Sequence, residues 1–211
     1  GLHLTDLNLT AQLNALTDDS INLRVRRLDV CEERGLCIKS LKFNLEGNRQ
    51  EAHLTDFDLQ LPNSYIVIPS LTLNEVLPFR LERLRYRGTL QAHLSTTDLA
   101  SFVPAAVRFN CEPNLDLSFQ GQGDNPSGGL RLWDEHGLLR ISASGQAERL
   151  RQGQDGMSAS LQIDDAYVES RFWQPFLSNA ILNRIERTHL TGNATWDGQK
   201  VSGDLNLRTS V

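Results

Sequence analysis

The stretch Leu7-Asn8-Leu9-Thr10-Ala11-Gln12-Leu13 decides the fold class. In an extended chain successive side chains point to opposite faces, so Leu7, Leu9, Ala11 and Leu13 share one side, and Asn8, Thr10 and Gln12 share the other. The same alternation recurs through the chain. It returns in Ile21, Leu23 and Val25, in Leu28 and Val30, in Leu41, Phe43 and Leu45, and in Phe57, Leu59 and Leu61. It continues in Leu115, Leu117 and Phe119, in Leu130 and Leu132, in Leu139, Ile141 and Ala143, and in Leu161 and Ile163. Roughly a dozen strands follow, well above ordinary strand content, and the expectation is an all-β chain with two short helices.

Local irregularities refine the pattern. The apolar parity slips by one residue at Arg26-Arg27, which reverses the faces unless a bulge absorbs it, and a bulge is expected there. Gly47-Asn48-Arg49-Gln50 and Leu61-Pro62-Asn63-Ser64 read as turns, and Asp197-Gly198 reads as a two-residue hairpin. Pro69 and Pro78 are expected to confine their strands to sheet edges or strand ends, because proline cannot donate to a ladder. Leu4-Thr5-Asp6-Leu7-Asn8-Leu9 and Leu54-Thr55-Asp56-Phe57-Asp58-Leu59 match at a spacing of fifty residues, which suits growth by similar hairpins.

Two stretches depart from period two. Thr97 to Val103 offers an N-cap followed by apolar residues at helical spacing, placing a short helix near 98–103. Phe172 to Leu182 carries a helical apolar stripe with Pro175 in its first turn, placing a second helix near 174–184. Leu99, Phe102, Phe172, Phe176 and Ile181 are the candidate groove-closing residues, against the plainer reading of core packing. A division at residue 78 separates a first hairpin segment, 1–78, from a β segment carrying both helices, 79–211.

Charge and composition exclude several functions. The net charge is −5, and the two basic clusters, Arg24 to Arg27 and Arg80 to Arg87, alternate with apolar residues as an outer strand face would. No basic stripe for nucleic acid is present. No apolar run of about 18 residues exists to span a bilayer as a helix. Gly1 and the end of the chain in mid-pattern at Val211 are expected to be cut ends, with any anchor lying outside. Of three cysteines, Cys31 and Cys37 flank a plausible hairpin loop and could pair if their Cα atoms lie within about 7 Å. Two unpaired thiols on a polar face are the favoured expectation.

The search for catalytic chemistry returns none. There is no Gly-x-Ser-x-Gly elbow, P-loop, His-Glu-x-x-His or Cys-x-x-Cys motif. His3, His53, His93, His136 and His189 are scattered singly, without metal-ligand spacing. Asp164-Asp165 reads as a strand end, since neighbours on a strand face opposite ways and cannot share acid–base work. Asp124-Asn125-Pro126-Ser127-Gly128-Gly129 reads as a turn. Trp133, Trp173 and Trp196 could stack on sugars, which keeps a secreted β-sandwich adhesion or glycan-binding module as the alternative. No catalytic residue, cofactor or metal is expected.

The order of features carries a resemblance. Val30-Cys31-Glu32-Glu33-Arg34-Gly35-Leu36 and Leu61-Pro62-Asn63-Ser64-Tyr65-Ile66 fall between strands, and Leu190-Thr191-Gly192-Asn193-Ala194-Thr195-Trp196 precedes a hairpin. Ser95 to Pro104 reads Ser-x-x-Asp-Leu-x-x-Phe-x-Pro. In these features the chain resembles the Bacteroidota-type TamB family, the large periplasmic subunits of the translocation and assembly module, and the related AsmA-like group. The resemblance implies an elongated, incompletely closed β-barrel or β-taco with an apolar interior. It implies a non-catalytic periplasmic scaffold for phospholipid transport or outer-membrane protein assembly, anchored in the inner membrane by a segment outside this chain. The implied partners are an outer-membrane barrel, met through parts of the protein absent here, and lipid acyl chains or β-strand clients. The candidate apolar groove is Leu115, Leu117, Phe119, Leu130, Leu132, Ile141, Leu161 and Ile163.

Overall fold

The computed structural model describes residues 4–17, 19–32, 37–76, 80–100, 112–152, 156–173 and 185–210. Its strands are β1 (Leu4–Leu16), β2 (Ser20–Glu32), β3 (Cys37–Asn48), β4 (Glu51–Gln60), β5 (Tyr65–Asn74) and β6 (Arg85–His93). These continue as β7 (Pro113–Gln122), β8 (Asn125–Asp134), β9 (Leu139–Glu148), β10 (Ser158–Glu169), β11 (Arg187–Trp196) and β12 (Val201–Ser210). All twelve form one sheet in sequence order, each antiparallel to its neighbours, and the sheet does not close into a barrel. The all-β expectation therefore holds, and the sheet runs without interruption across residue 78.

Short connections explain this topology. An antiparallel partner needs only a tight turn, so a chain of alternating strands and turn residues lays each strand beside the last. At the β3–β4 turn the Asn48 side-chain oxygen accepts from the backbone N–H of Gln50 at 2.7 Å and of Glu51 at 3.0 Å. Asp197 does the same at the β11–β12 turn, accepting from Gln199 and Lys200. The expected bulge at Arg26-Arg27 is present: Thr10 pairs with Arg27 and Ala11 with Val25, so Arg26 is the extra residue.

Connections alternate between the two ends of an antiparallel meander. The end holding 61–64, 94–100, 112, 135–138, 170–173 and 185–186 gathers most of the tightly buried groups. Leu138 and Leu139 are buried there, with Ser64, Ser95, Asp98, Asn114 and Asp134. Buried polar groups need partners, and of the side-chain atoms in this set only Asn114 Nδ2 lacks one. Ser95 N–H donates to Ser64 Oγ at 2.8 Å, and Asn63 gives its backbone N–H and its side-chain amide to the two oxygens of Asp98 at 2.8 and 3.1 Å. Asp134 accepts the backbone N–H groups of Glu112, His136 and Leu138. The polar residues of the Ser95-x-x-Asp98 signature are thus fasteners between two loops.

Several expectations need correction. Helix α1 spans Thr96–Ala100, and the residue capping it is Ser95, whose Oγ accepts the Thr97 N–H at 3.3 Å. Helix α2 is Ser170–Trp173, one step ahead of the stretch expected at 174–184, which lies outside the described residues, as do 101–103. Pro69 sits within a central strand, β5, because the β5–β6 ladder is already interrupted between Val67 and Leu71. Asp164-Asp165 lies within β10 rather than at its end, at a register shift between Ile163 and Ala166. Asn125 to Gly129 belongs to β8, paired residue by residue with β7, so the turn is confined to Gly123-Asp124.

The cysteines also differ from expectation. Cys31 and Cys37 stand directly opposite each other on β2 and β3 with Cα atoms 4.1 Å apart, and they form a disulfide. The register supplied the proximity that spacing alone left open. The bridge closes a short loop, so its removal is expected to cost about 2 kcal/mol by chain entropy. Calorimetry of Cys31→Ser/Cys37→Ser against the parent checks this, and equal melting temperatures would refute it.

The apolar face as candidate functional site

Register turns the alternation into continuous rows. Leu9, Leu28, Leu41, Leu59, Ile66 and Ala92 stand opposite one another across β1 to β6. Leu115, Leu132, Ile141, Ala166, Leu190 and Leu207 extend the line across β7 to β12. Every strand contributes one aliphatic residue. At about 4.8 Å per strand the row follows the sheet for about 50 Å.

A parallel row changes character midway. Leu13, Leu23, Leu45, Leu54 and Leu71 fill it on the first five strands. It continues as Gly88, Phe119, Gly128, Gly145, Leu161, Ala194 and Gly203. Phe119 lies across Gly88, where an added Cβ would meet the ring at 2.7 Å. Gly88, Phe119, Gly128, Gly145, Leu161 and Ala194 all line a hollow of about 780 Å³. Missing side chains on a sheet leave room that neighbouring side chains fill only in part.

The structure therefore brings the eight candidate groove residues onto one face of β7 to β10. Leu115, Leu132 and Ile141 belong to the first row and Phe119 and Leu161 to the second. Leu117, Leu130 and Ile163 form a third with Leu90, Ala143 and Gly192. The register slip at Asp164-Asp165 keeps Ala166 on this face by absorbing one residue. The earlier part of the face, missing from the candidate set, is equally apolar, and Phe43 and Phe57 pack there with ring centroids 6.3 Å apart. Its signal was present in the alternation of β1 to β5.

This face has no second layer among the described elements. Each strand packs against its sheet neighbours, and the one further contact of note is α2 against β10. Consequently only Val25, Ala92, Leu138 and Leu139 are buried hydrophobics among the described residues. Leu161 in the hollow is 44% exposed. Of the five candidate closing residues, Phe172 lies in α2, Leu99 lies in α1 with its side chain outside the described set, and Phe102, Phe176 and Ile181 fall outside the described residues altogether.

The opposite face is polar and carries cross-strand ion pairs. Asp165 accepts from Arg140 Nε at 2.5 Å and stands 2.8 Å from His189 Nε2. Partial burial alone would raise the Asp165 carboxyl, but the hydrogen bonds and charges of Arg140 and His189 outweigh it and hold the group below the usual carboxylate range. A depressed folded-state value contributes stability above the unfolded value, near pH 4, that is lost as pH falls through the folded one. The melting temperature is expected to drop below about pH 4 more steeply in the parent than in Asp165→Asn. Parallel pH profiles would refute this.

Among the described residues no group of three His, Cys, Asp or Glu side chains is placed to hold a metal. His53 meets Thr72 and His93 meets Asn114, as cross-strand polar pairs. Trp133 lies on the polar face beside Arg131, whereas Trp196 lies in line with Ala159 and Val201 on the apolar face, so these two form no shared platform. No helix among the described residues is long and apolar enough to cross a membrane. No family model, no curated protein and no solved structure matches this chain.

Proposed function

We propose that the chain is a non-catalytic stretch of a periplasmic scaffold of TamB type, bridging inner and outer membranes, whose apolar face carries lipid acyl chains along the sheet. The observation that supports this reading most is the unbroken row of one aliphatic residue on each of twelve strands, with no second layer over it among the described elements. A buried methylene contributes about 0.8 kcal/mol, so ten methylenes laid on such a row contribute about 8 kcal/mol before the costs of ordering. Anchorage in the inner membrane and the barrel partner in the outer membrane belong, in this reading, to parts of the protein outside this chain. The glycan-binding alternative finds no support in the placement of Trp133 and Trp196.

The test is native mass spectrometry of the chain purified from cells, followed by extraction and identification of bound lipid. Phospholipid at a fixed stoichiometry is the expected result. Chain free of lipid, and unable to take up a fluorescent acyl probe, would overturn the proposal.

A further inference from the structure

The sequence repeat noted at the start of the chain is also a repeat of backbone geometry. Asp6 and Asp56 occupy equivalent places in Leu4–Leu9 and Leu54–Leu59, and both have φ of 55°, a left-handed conformation that Asp tolerates better than most residues. The ladders bend alike around them. On β1, Thr5 pairs with Cys31 and Asn8 with Asp29, three steps against two. On β4, Thr55 pairs with Asn44 and Asp58 with Lys42, again three against two. The polar pairs after the kink correspond as well: Asn8 donates to Asp29 at 3.1 Å, and Lys42 meets Asp58 at 2.9 Å. Leu9 then stands opposite Leu28 as Leu59 stands opposite Leu41.

Strand β2 is therefore to β1 what β3 is to β4. Because β1 and β4 run in opposite directions, the strand after one and the strand before the other lie on the same hand. The open edge of β1 thus corresponds to the edge of β4 that β5 covers. On that edge Phe57 faces Ile68, Leu59 faces Ile66 and Thr55 faces Ser70, which sets Pro69 opposite the kinked Asp56. Proline is tolerated there because a kinked residue leaves the ladder interrupted. With β5 in place, Phe57 and Leu59 are half-buried. Without a counterpart, Leu7 and Leu9 are each 60% exposed.

We infer that the edge of β1, bare among the described strands, is a docking site for an added antiparallel strand of β5 chemistry, aliphatic-x-aliphatic-Pro-x-aliphatic. Its two leading aliphatics would stand opposite Leu9 and Leu7, and its proline opposite Asp6. The added strand completes the ladder by main-chain bonds, while the kink at Asp6 selects a sequence with proline at one register. This is a site of main-chain pairing on the sheet edge; it shares Leu9 with the apolar row, and its test reads peptide rather than lipid.

The probe is the synthetic peptide Tyr65–Asn74 bearing a two-lysine tail for solubility and a fluorescent label, titrated against the chain by anisotropy. Saturable one-to-one binding is expected, with at least a tenfold loss for the peptide carrying Ile66→Ser and Ile68→Ser. Leu7→Lys/Leu9→Lys in the protein is expected to weaken binding at least tenfold, and the exposure of both residues keeps this variant folded, as its circular dichroism would verify. Leu205→Lys/Leu207→Lys on the opposite edge is expected to leave binding unchanged. A photo-crosslinker in place of Ile68 in the peptide should label β1 near Leu7. Labelling of β12, or of β4 by displacement of β5, would overturn the inference, as would absence of saturable binding or insensitivity to the β1 variant.

Discussion

Chain carrying Leu161→Glu is expected to lose at least nine-tenths of its bound lipid while keeping its fold. Leu161 lines the hollow at the glycine-bearing part of the apolar face and is already 44% exposed. A carboxylate there meets water readily in the empty protein, so the cost to folding is small. Once an acyl chain covers the site, the charge must be desolvated, which costs several kcal/mol. That penalty converts to a loss of a hundredfold or more in affinity. Lipid counted by mass spectrometry on matched preparations checks it, with Leu161→Met as the conservative control. Arg131→Ala, on the polar face, should retain parental lipid. Equal lipid on Leu161→Glu and the parent would mean that acyl chains do not enter the hollow beside Leu161.

Asp134→Ala is expected to produce the largest loss of stability of any single polar substitution in the described sheet. The Asp134 side chain is fully buried and accepts three backbone N–H groups, from Glu112 at 3.2 Å, His136 at 2.9 Å and Leu138 at 3.3 Å. Alanine would strand those donors next to Leu138 and Leu139. At about 1–3 kcal/mol for each unsatisfied buried group, partly relieved by entering water, the loss is about 3–5 kcal/mol. For a chain of this size that corresponds to a melting temperature lower by about 10 °C. Asp134→Asn, which keeps an accepting oxygen, should lose about half as much. A melting temperature of Asp134→Ala within about 2 °C of the parent would show that these bonds contribute little.

The two predictions concern different parts of one design. Buried hydrogen bonds gather connections at one end of the sheet, and the apolar face beside them has no covering layer among the described residues. A sheet of this kind gains little from face-to-face packing. Its stability rests on ladder hydrogen bonds, on lateral contact between neighbouring aliphatics, and on fasteners such as Asp98 with Asn63.

Much of this was legible in residue order. Alternation located the strands, the slip at Arg26-Arg27 located a bulge, and Leu115 to Ile163 named eight residues that share a face. Pro69 and Asp164-Asp165 were misread for one physical reason. Both sit where a ladder is interrupted inside a strand, and proline or paired acids look like strand ends unless the partner strand is known. A spacing of six residues does not say whether the strands of Cys31 and Cys37 meet in register, so only the register settles their pairing. The fasteners Ser95, Asp98 and Asp134 carried no periodic signal. Their partners, Ser64, Asn63 and Leu138, lie in loops whose meeting depends on the whole meander.

What the sequence determined by itself was which side of each strand is apolar, since a period of two is a property of one extended chain and needs no partner. Which residue stands beside which was decided by the tertiary structure. Register is set by turn lengths and bulges accumulated over twelve strands, and a one-residue change in any of them would redirect a whole strand. Only that accumulated register joins Leu9 to Leu207 in one row, and only the positive φ shared by Asp6 and Asp56 turns a six-residue repeat into an edge shaped for a particular strand.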